Sequence, residues 1–389
     1  MRFVHVSDLH IGKQLYGYSL IDDQRAVLQQ IVDIARSENA DGLLIAGDVY
    51  DRTVPSEEAV ALCDRFLVAA AQVCPVYLIA GNHDSAERLA FCRDLIRGER
   101  VFISGADHAR AERIVLQDAD GPLNLYLLPF FKTSQVRTKY GDPHIDTPDK
   151  ALQRVLQESG VDPGARNVLV AHQFVTAAGV ELQTADSEEF RPEVGGADCL
   201  SADLLKDFDY VALGHLHRPQ NVGRPEVRYC GSPLVYSESE ADDRKSVTVV
   251  DLGPKGTAPE IRTVPLVPAR PLRVIRGKLE DLLAAAGSAD VSADDYIAAT
   301  VFGSPVDARK RLQAVYSHLL NVKYEEERAL DADADPAGRL AELRQQSPAA
   351  IFADFYRKMN GTELTGRQQQ EFAAAEERAR EAAREAEGR

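Results

Sequence analysis

Five short apolar runs, each followed closely by an aspartate, asparagine or histidine, constrain this chain more than any other feature. The runs lie at residues 3–7, 42–46, 76–80, 168–171 and 210–213. Runs this short and this apolar are typical of strands that are covered on both faces. Between the first three, apolar residues at helical spacing, such as Val27, Ile31 and Ala35, predict helices. Up to about residue 105, the chain therefore predicts a mainly parallel sheet covered by helices.

The middle of the chain has a different pattern. Asp120-Gly121 lies between two apolar runs and predicts a hairpin turn. Thr147 followed by Pro148 predicts the start of a helix that Gly160 ends. From residue 227 to 264, closely spaced runs separated by turns predict antiparallel strands. A parallel half followed by an antiparallel half predicts an α/β domain in which two sheets pack as a layered sandwich.

Three prolines at positions 265, 268 and 271 interrupt this pattern and predict a domain boundary near residue 270. Strand-like and helix-like segments then alternate on a small scale, which predicts a compact α+β module, and the last part of the chain predicts helices. The expected domains are residues 1–270, 271–330 and 338–389.

An aromatic stripe marks the C-terminal part. Phe352, Phe355, Tyr356 and Met359 fall at i, i+3, i+4 and i+7, so a helix would place them on one face. Such a face packs either on the protein's own core or in a groove of a partner chain. Little sequence follows that could cover it, which favours a partner.

Charge and composition restrict the partners and the location. The formal net charge of −16 opposes general affinity for polyanions, so a nucleic-acid substrate would need local basic patches, bound metal or a partner. No apolar stretch approaches the ~18 residues of a membrane span, and the first residues do not resemble a signal peptide. We therefore expect no membrane contact and a cytoplasmic location. The five cysteines lack CxxC spacing and predict buried, reduced thiols.

Polar residues at the five strand ends carry the chemistry. The carboxyl ends of strands in an α/β sheet meet in one crevice, so these residues are expected to converge. They are Asp8, His10, Asp48, Asn82, His172, His215 and His217. Oxygen and imidazole donors without thiolates suit Mn²⁺, Fe²⁺ or Zn²⁺. Seven donors are too many for one catalytic ion and enough for two divalent metal ions, which predicts hydrolysis of a phosphate ester.

The residues beside this set have predicted roles in catalysis. His83 follows Asn82, and adjacent residues in a turn usually point apart, so we expect His83 to act as a general acid or to stabilise transition-state charge. The carboxylate of Asp51, rather than that of Asp84, is expected to orient His83. Arg52 is expected to pair with phosphate oxygens.

These residues resemble the five motifs of the calcineurin-like metallophosphoesterase superfamily. The motifs are Asp8-Leu9-His10, Gly47-Asp48-Val49-Tyr50-Asp51-Arg52, Gly81-Asn82-His83-Asp84, Ala171-His172 and Gly214-His215-Leu216-His217. The resemblance implies that Asp48 bridges two metal ions. It assigns Asp8, His10, Asp48 and His217 to one ion, and Asp48, Asn82, His172 and His215 to the other.

Over nearly the whole chain the sequence is similar to the SbcD family, the nuclease subunits of bacterial SbcCD complexes. Residues 7–12, 214–220 and 229–233 carry this closer similarity. It implies a Mn²⁺-dependent DNA nuclease of repair and recombination, with double-strand exonuclease and single-strand or hairpin endonuclease activity. It also implies a DNA-capping module, a homodimer, and C-terminal helices that bind SbcC, an ATPase of the SMC type.

Two other classes of function compete with this interpretation. A phosphatase or cyclic-nucleotide phosphodiesterase would use the same metal centre on small substrates, but it would not need residues 272–389. A non-catalytic scaffold would not need every ligand position filled. For DNA, the candidate phosphate contacts are Lys13, Lys132, Arg137, Lys139 and Arg218, and the alternative for each is a solvated surface.

Overall fold

The computed structural model describes residues 1–104, 107, 109–188, 199–288, 291–326, 349, 352, 353, 356, 364–369 and 371–373. Residues 1–326 form one compact unit and residues 327–389 form another. None of the helices in the described ranges combines the length and apolar character needed to cross a bilayer.

The described part of the chain alternates strands and helices as far as Glu325. The strands are β1 (Arg2–Val6), β2 (Gln14–Leu15), β3 (Tyr18–Ser19), β4 (Gly42–Ala46), β5 (Val76–Ile79), β6 (Val101–Ile103), β7 (Glu112–Asp118), β8 (Gly121–Leu128), β9 (Arg166–His172), β10 (Val175–Thr176), β11 (Leu200–Ser201), β12 (Tyr210–Gly214), β13 (Gln220–Val222), β14 (Arg224–Tyr229), β15 (Ser246–Asp251), β16 (Glu260–Pro265), β17 (Leu272–Gly277), β18 (Tyr296–Phe302) and β19 (His318–Glu325). The α-helices are α1 (Ile21–Ser37), α2 (Glu57–Val73), α3 (Ala86–Leu89), α4 (Arg93–Ile96), α5 (Thr133–Tyr140), α6 (Pro148–Ser159), α7 (Leu279–Ala285) and α8 (Ala308–Gln313). Short 3-10 turns lie at Arg97–Glu99, Ala202–Leu205 and Glu238–Glu240.

Two six-stranded sheets form the phosphoesterase-like part, in the orders β16-β15-β1-β4-β5-β6 and β13-β14-β12-β9-β8-β7. The central strands of each sheet are parallel. Buried apolar residues of both sheets form a shared core layer, which includes Phe3, Leu44, Tyr77, Leu125, Val170 and Tyr210. The prediction of an α/β sandwich of two sheets is therefore confirmed.

The division of the strands between the sheets differs from the prediction. β14 pairs parallel with β12, residues 234–236 form no strand, and the antiparallel pair β15–β16 joins the first sheet beside β1. The second sheet is thus parallel at its centre, like the first. A local pattern shows that a strand exists, but its neighbour is set by distant residues that bury the same face.

Helices cover the outer faces, and the predicted ends of α6 at Thr147 and Gly160 are confirmed. Ser56, Ser85 and Thr147 each accept a hydrogen bond from a main-chain N–H of the first turn of their helix, which satisfies one otherwise unpaired donor. Gly160 ends α6 with φ of 64°, a left-handed conformation that glycine adopts without a steric penalty.

The cysteine prediction is wrong in part. Cys63, Cys74 and Cys230 are buried, whereas Cys199 is half-buried and Cys92 is exposed. Cys92 has a φ of 60° and precedes the one-turn helix α4, whose residues are not buried. The short apolar stretch around Cys92 therefore lies on the surface.

The α+β module has the predicted order of strands and helices. β17, β18 and β19 form a parallel sheet, and α7 and α8 contribute to its own core, which contains Ile297, Val301, Leu312 and Leu319. Asp23 of α1 accepts hydrogen bonds from Arg270 and Tyr296, both at 2.8 Å. These contacts fix the module against the first sheet's helical layer.

Only isolated residues of the C-terminal unit are described. Phe352 stacks on Phe372 with a centroid distance of 4.2 Å, and Gln368 donates to the Tyr356 hydroxyl at 3.0 Å. Phe355 and Met359 lie outside the described residues, as does most of the predicted helical region.

Candidate metal centre

The seven predicted donors come together at the carboxyl ends of the strands. Asp8 and His10 follow β1, Asp48 follows β4, and Asn82 follows β5 in the first sheet. His172 ends β9, and His215 and His217 follow β12 in the second sheet. Because parallel strands of both sheets end on the same side, residues up to 209 positions apart share one crevice.

Donor atoms from both sheets lie close enough to one another to bind the same metal ion. Ligand atoms within 4.8 Å of one another occur in three sets: Asp8, His10 and His217; Asp8, Asp48 and His172; and His10, Asp48 and His83. Asn82 Oδ1 lies 3.0 Å from both His172 Nε2 and His215 Nδ1. The structure therefore brings all seven predicted donors together in one cluster.

The backbone at the cluster is strained. Asp8, His10, Asp48 and His215 have φ of 53°, 43°, 50° and 98°, a region that non-glycine residues seldom adopt. The first loops hold each other through main-chain bonds, from Asp8 N to the Gly47 oxygen at 3.1 Å and from His10 N to the Asp48 oxygen at 2.9 Å. Strain of this kind persists where the surrounding structure over-determines a functional geometry.

Glycines permit the close packing of the donors. A Cβ at Gly81 would overlap the carboxylate and main-chain nitrogen of Asp48. A Cβ at Gly214 would overlap the Ala46 carbonyl and the His172 ring. Both positions therefore require glycine because another strand end approaches closely.

Burial and charge prepare these side chains for metal binding. Burial lowers the pKa of His10 and lowers that of His215 to about 3, so both imidazoles stay neutral, the form that binds a metal. Burial alone would lower the pKa of His172, but the carboxylate of Asp48 raises it to about 9, so a metal ion would have to displace a proton from this ring. Burial alone would raise the pKa of Asp48, and the histidines around it, His172 first, lower it below its usual range.

The donors fit a pair of divalent ions. His172 Nδ1 donates to the Ala46 carbonyl at 2.7 Å, so the lone pair of the neutral ring is on Nε2, which lies 3.3 Å from Asp48 Oδ2. His10 Nε2 and His217 Nε2 face each other at 3.2 Å. Neutral imidazoles and carboxylates that converge in this way are the donor set of a dimetal centre.

His83 lies beside the cluster, but its contact with Asp51 differs from the prediction. His83 Nδ1 donates to the main-chain carbonyl of Asp51 at 3.0 Å. The Asp51 carboxylate instead accepts from Lys13 Nζ at 2.9 Å and lies 3.6 Å from His10 Nδ1. A carbonyl can only accept, so the proton of this contact is on Nδ1 of His83, while Nε2 lies 4.0 Å from Asp48 Oδ2.

Asp84 and Arg52 lie beside the cluster in different settings. Asp84 accepts from the main-chain nitrogens of Val49, Tyr50 and Gly81 at 2.9–3.0 Å, so it joins two ligand loops and does not serve as the partner of His83. The Arg52 side chain is 74% exposed, and its Nε lies 3.7 Å from the carboxylate of Asp51.

The five candidate DNA contacts fall into two groups. Lys132 and Arg137 line a cleft of about 640 Å³ beside Asn82 and His215. Lys13, Lys139 and Arg218 are paired with carboxylates, those of Asp51, Asp107 and Asp243 respectively.

Sequence reasoning did not identify the residues that support His217. They are Ser187, Glu188, Glu240 and Lys245. They lie in loops and turns or at a strand boundary, without a periodic pattern, and they reach His217 only through the tertiary fold.

Comparison with known proteins agrees with this geometry. Residues 1–219 match the profile of the calcineurin-like phosphoesterase family, and residues 268–360 match the family described as type 5 capsule protein repressor C-terminal domain. The SbcD subunit of the nuclease SbcCD from Staphylococcus epidermidis is 30% identical over 381 residues, which cover 94% of this chain and 95% of that protein.

Two solved structures are also similar. The protein TT1561 of Thermus thermophilus has 11% identity and a TM-score of 0.38, and the match covers 67% of this chain and 98% of that one. A dimetal phosphatase from Danio rerio has 14% identity and a TM-score of 0.39, with coverage of 69% and 99%.

A family model matches more than half of the chain, and the strand ends of the fold gather side chains that could bind metal. The protein is therefore a calcineurin-like phosphoesterase that hydrolyses phosphodiesters. Within that class, the chain belongs to the SbcD family of nuclease subunits.

Proposed function

We propose that this protein is a Mn²⁺-dependent DNA nuclease, with double-strand exonuclease and single-strand or hairpin endonuclease activity. The observation that carries the proposal is the convergence of seven metal-binding side chains beside a cleft with basic residues. Lys132 and Arg137 lie along that cleft, where they would contact a phosphate backbone and offset the net charge of −16.

Each candidate ligand set draws on both sheets. Asp8, His10, Asp48 and His217 would hold one ion, and Asp48, Asn82, His172 and His215 the other. Bound there, two divalent ions would neutralise phosphate charge and supply an activated water for displacement at phosphorus.

The chain's own residues would orient the substrate and move a proton. His83, held through Nδ1 by the Asp51 carbonyl, would present Nε2 to the leaving oxygen as a general acid. The main-chain N–H of His83 donates to Asp48 Oδ1 at 2.9 Å, so the same residue also fixes the bridging carboxylate. Arg52 would pair with a phosphate oxygen.

The remaining parts of the chain have proposed partners. The α+β module within residues 271–330 would cap bound DNA, and the helices of residues 338–389 would bind the coiled coil of an SbcC-type ATPase. The assembly would be a cytoplasmic complex of DNA repair and recombination, with two copies of this chain.

Activity on matched substrates tests the nuclease proposal. Purified protein with Mn²⁺ is given a linear duplex, a hairpin and a chromogenic phosphodiester, with and without the ATPase. We expect cleavage of the DNA substrates, with the ATPase increasing it. Robust turnover of the small ester without DNA degradation, even with the ATPase, would favour a phosphatase or cyclic-nucleotide phosphodiesterase instead.

Deletion of residues 338–389 tests the partner proposal. The truncated protein should fail to co-purify with the ATPase while it hydrolyses the small ester at the rate of the full chain. Unchanged co-purification would show that the binding surface lies elsewhere.

A further inference from the structure

His217 has contacts at its main-chain nitrogen, its carbonyl and both ring nitrogens. Its main-chain nitrogen donates to Glu188 Oε1 at 2.7 Å. Its carbonyl accepts from Lys245 Nζ at 3.0 Å and from the main-chain nitrogen of Ser232 at 3.1 Å. Its Nδ1 lies 2.7 Å from Ser187 Oγ. Nε2 is the remaining ring nitrogen, and it faces His10.

The direction of the hydrogen bonds fixes the form of the ring. Ser187 Oγ donates its single proton to Glu240 Oε1 at 2.6 Å, so it must accept from His217 Nδ1–H. The neutral imidazole therefore has its lone pair on Nε2, as a metal ligand requires. Glu240 is itself fully buried and accepts from Lys245 at 2.6 Å and from Ser237 at 2.8 Å, which fixes its carboxylate.

The turn that carries Glu240 also contacts the α+β module. Glu238, at the start of the turn Glu238–Glu240, accepts from Lys323 Nζ at 2.5 Å and from Asn321 Nδ2 at 3.3 Å, both on β19. It also accepts from the hydroxyl of Tyr16 at 2.7 Å. This three-residue turn therefore contacts the module through Glu238 and contacts Ser187, the hydrogen-bond partner of His217, through Glu240.

We propose that Ser187 and Glu240 are positioning residues for His217, and that the turn Glu238–Glu240 makes metal affinity at this position depend on contact with the α+β module. The inference rests on the proposed function, since it takes His217 as a metal ligand. It adds a route by which loss of the contacts between the turn and the module would alter the metal centre.

Binding of Mn²⁺ to the full-length protein, measured by equilibrium dialysis and metal analysis, tests the positioning role. Ser187→Ala should lower the affinity for one of the two ions by about 10- to 100-fold, as loss of such supporting contacts does. Ser187→Thr, which keeps the hydroxyl, should restore the wild-type titration. Ser37→Ala is the matched control, because the Ser37 hydroxyl is exposed and bonds the Ile34 carbonyl within α1.

His217→Ala separates this inference from the proposed function. If His217→Ala loses one ion and Ser187→Ala titrates like the wild type, the positioning role is wrong and the metal assignment stands. If His217→Ala binds two ions normally, the proposed ligand set itself fails. Equal weakening of metal binding by Ser187→Ala and Ser37→Ala would also overturn the specific role of the Ser187 hydroxyl.

Lys323→Ala tests the link to the module in the same assay. Loss of the contact between Lys323 and Glu238 should lower the affinity for the same ion by about 2- to 30-fold, the usual range for coupling through intervening residues. Arg276→Ala is the control, since Arg276 pairs with Glu325 inside the module. A wild-type titration of Lys323→Ala, beside a weakened Ser187→Ala, would remove the link and leave the positioning role.

Discussion

The two ends of the same pair of sheets use charged side chains in opposite ways. At the amino ends of the central strands, Arg166 donates to both carboxylate oxygens of Asp118 at 2.7 and 3.0 Å. Arg2 pairs with Asp251 at 2.7 Å close by on β1 and β15. At the carboxyl ends, Asp8 and Asp48 instead lie among histidines on a backbone with positive φ.

The difference separates a structural cluster from a functional one. Charges at the amino ends are matched within the protein, so they contribute to stability and need nothing else. The donors at the carboxyl ends are held close together on a strained backbone, and a bound cation would neutralise the carboxylates that converge there. Changes at the carboxyl ends should therefore remove metal and activity, while changes at the amino ends should affect stability alone.

Asp48→Asn should have the largest effect. The substitution keeps the shape of the side chain but removes the charge that would bridge both ions, so we expect loss of both bound metals and of phosphodiester hydrolysis to background. Metal analysis and a chromogenic phosphodiester measure the two outcomes. Asp33→Asn, which removes an exposed carboxylate paired with Arg36, is the control. Two tightly bound ions in Asp48→Asn would contradict the bridging role.

His83→Ala should have the next largest effect and separate catalysis from metal binding. Removal of a general acid lowers the rate by about 10²- to 10⁴-fold, while metal content should stay near the wild-type level. His144→Ala, at an exposed histidine, controls for loss of an imidazole. Because a His83 nitrogen lies within 4.8 Å of donor atoms of His10 and Asp48, loss of metal in His83→Ala would make it a ligand instead.

Gly81→Ala should show that the backbone at the carboxyl ends is constrained. The new methyl group would overlap Asp48, so we expect weaker metal binding and a loss of about 1–3 kcal/mol in the free energy of unfolding. Gly98→Ala is the matched control, because a Cβ there meets nothing within 4 Å. Urea denaturation and metal titration measure both effects, and a Gly81→Ala protein with normal values of both would show that the loop adapts.

The sequence predicts the strand ends well because each depends on a local pattern. A short apolar run followed by Asp48 or His172 specifies a buried strand and a polar side chain at its carboxyl end, and the geometry of parallel strands brings them together. Helix caps such as Ser56 and Thr147 are local for the same reason. The fold class and the membership of the donor cluster could therefore be predicted.

Contacts made through loops could not be predicted. Glu240 reaches Ser187 across 53 residues, and no periodicity marks either residue. The placement of β15 beside β1 joins segments far apart in the chain. His83 is oriented by the carbonyl rather than the carboxylate of Asp51, because the backbone path of the loop decides which atom approaches. These features depend on three-dimensional packing that a linear pattern does not encode.

Asp118→Asn should have the smallest effect and leave activity unchanged. Hydrogen bonds from Arg166 lower the pKa of Asp118 well below its ordinary value. The cluster keeps some contact with solvent, which screens it, so we expect a loss of about 1–2 kcal/mol in the free energy of unfolding at pH 7. Metal content and hydrolysis should equal those of the wild type, since the cluster lies at the amino ends of the strands.

The pH dependence of this loss identifies its electrostatic origin. Because the pKa is lowered in the folded state, the stabilisation is fully present above the pKa of the unfolded carboxyl, about 3.9, and is lost as the pH falls through the folded pKa. The difference in unfolding free energy between wild type and Asp118→Asn should therefore be constant from pH 7 to about 5 and shrink below about 4. Asp120→Asn, at an exposed carboxylate two residues away, should show no such difference. If the difference in unfolding free energy persists unchanged at low pH, the effect of Asp118→Asn arises from packing. The two ends of the sheets would then differ in geometry and not in their use of charge.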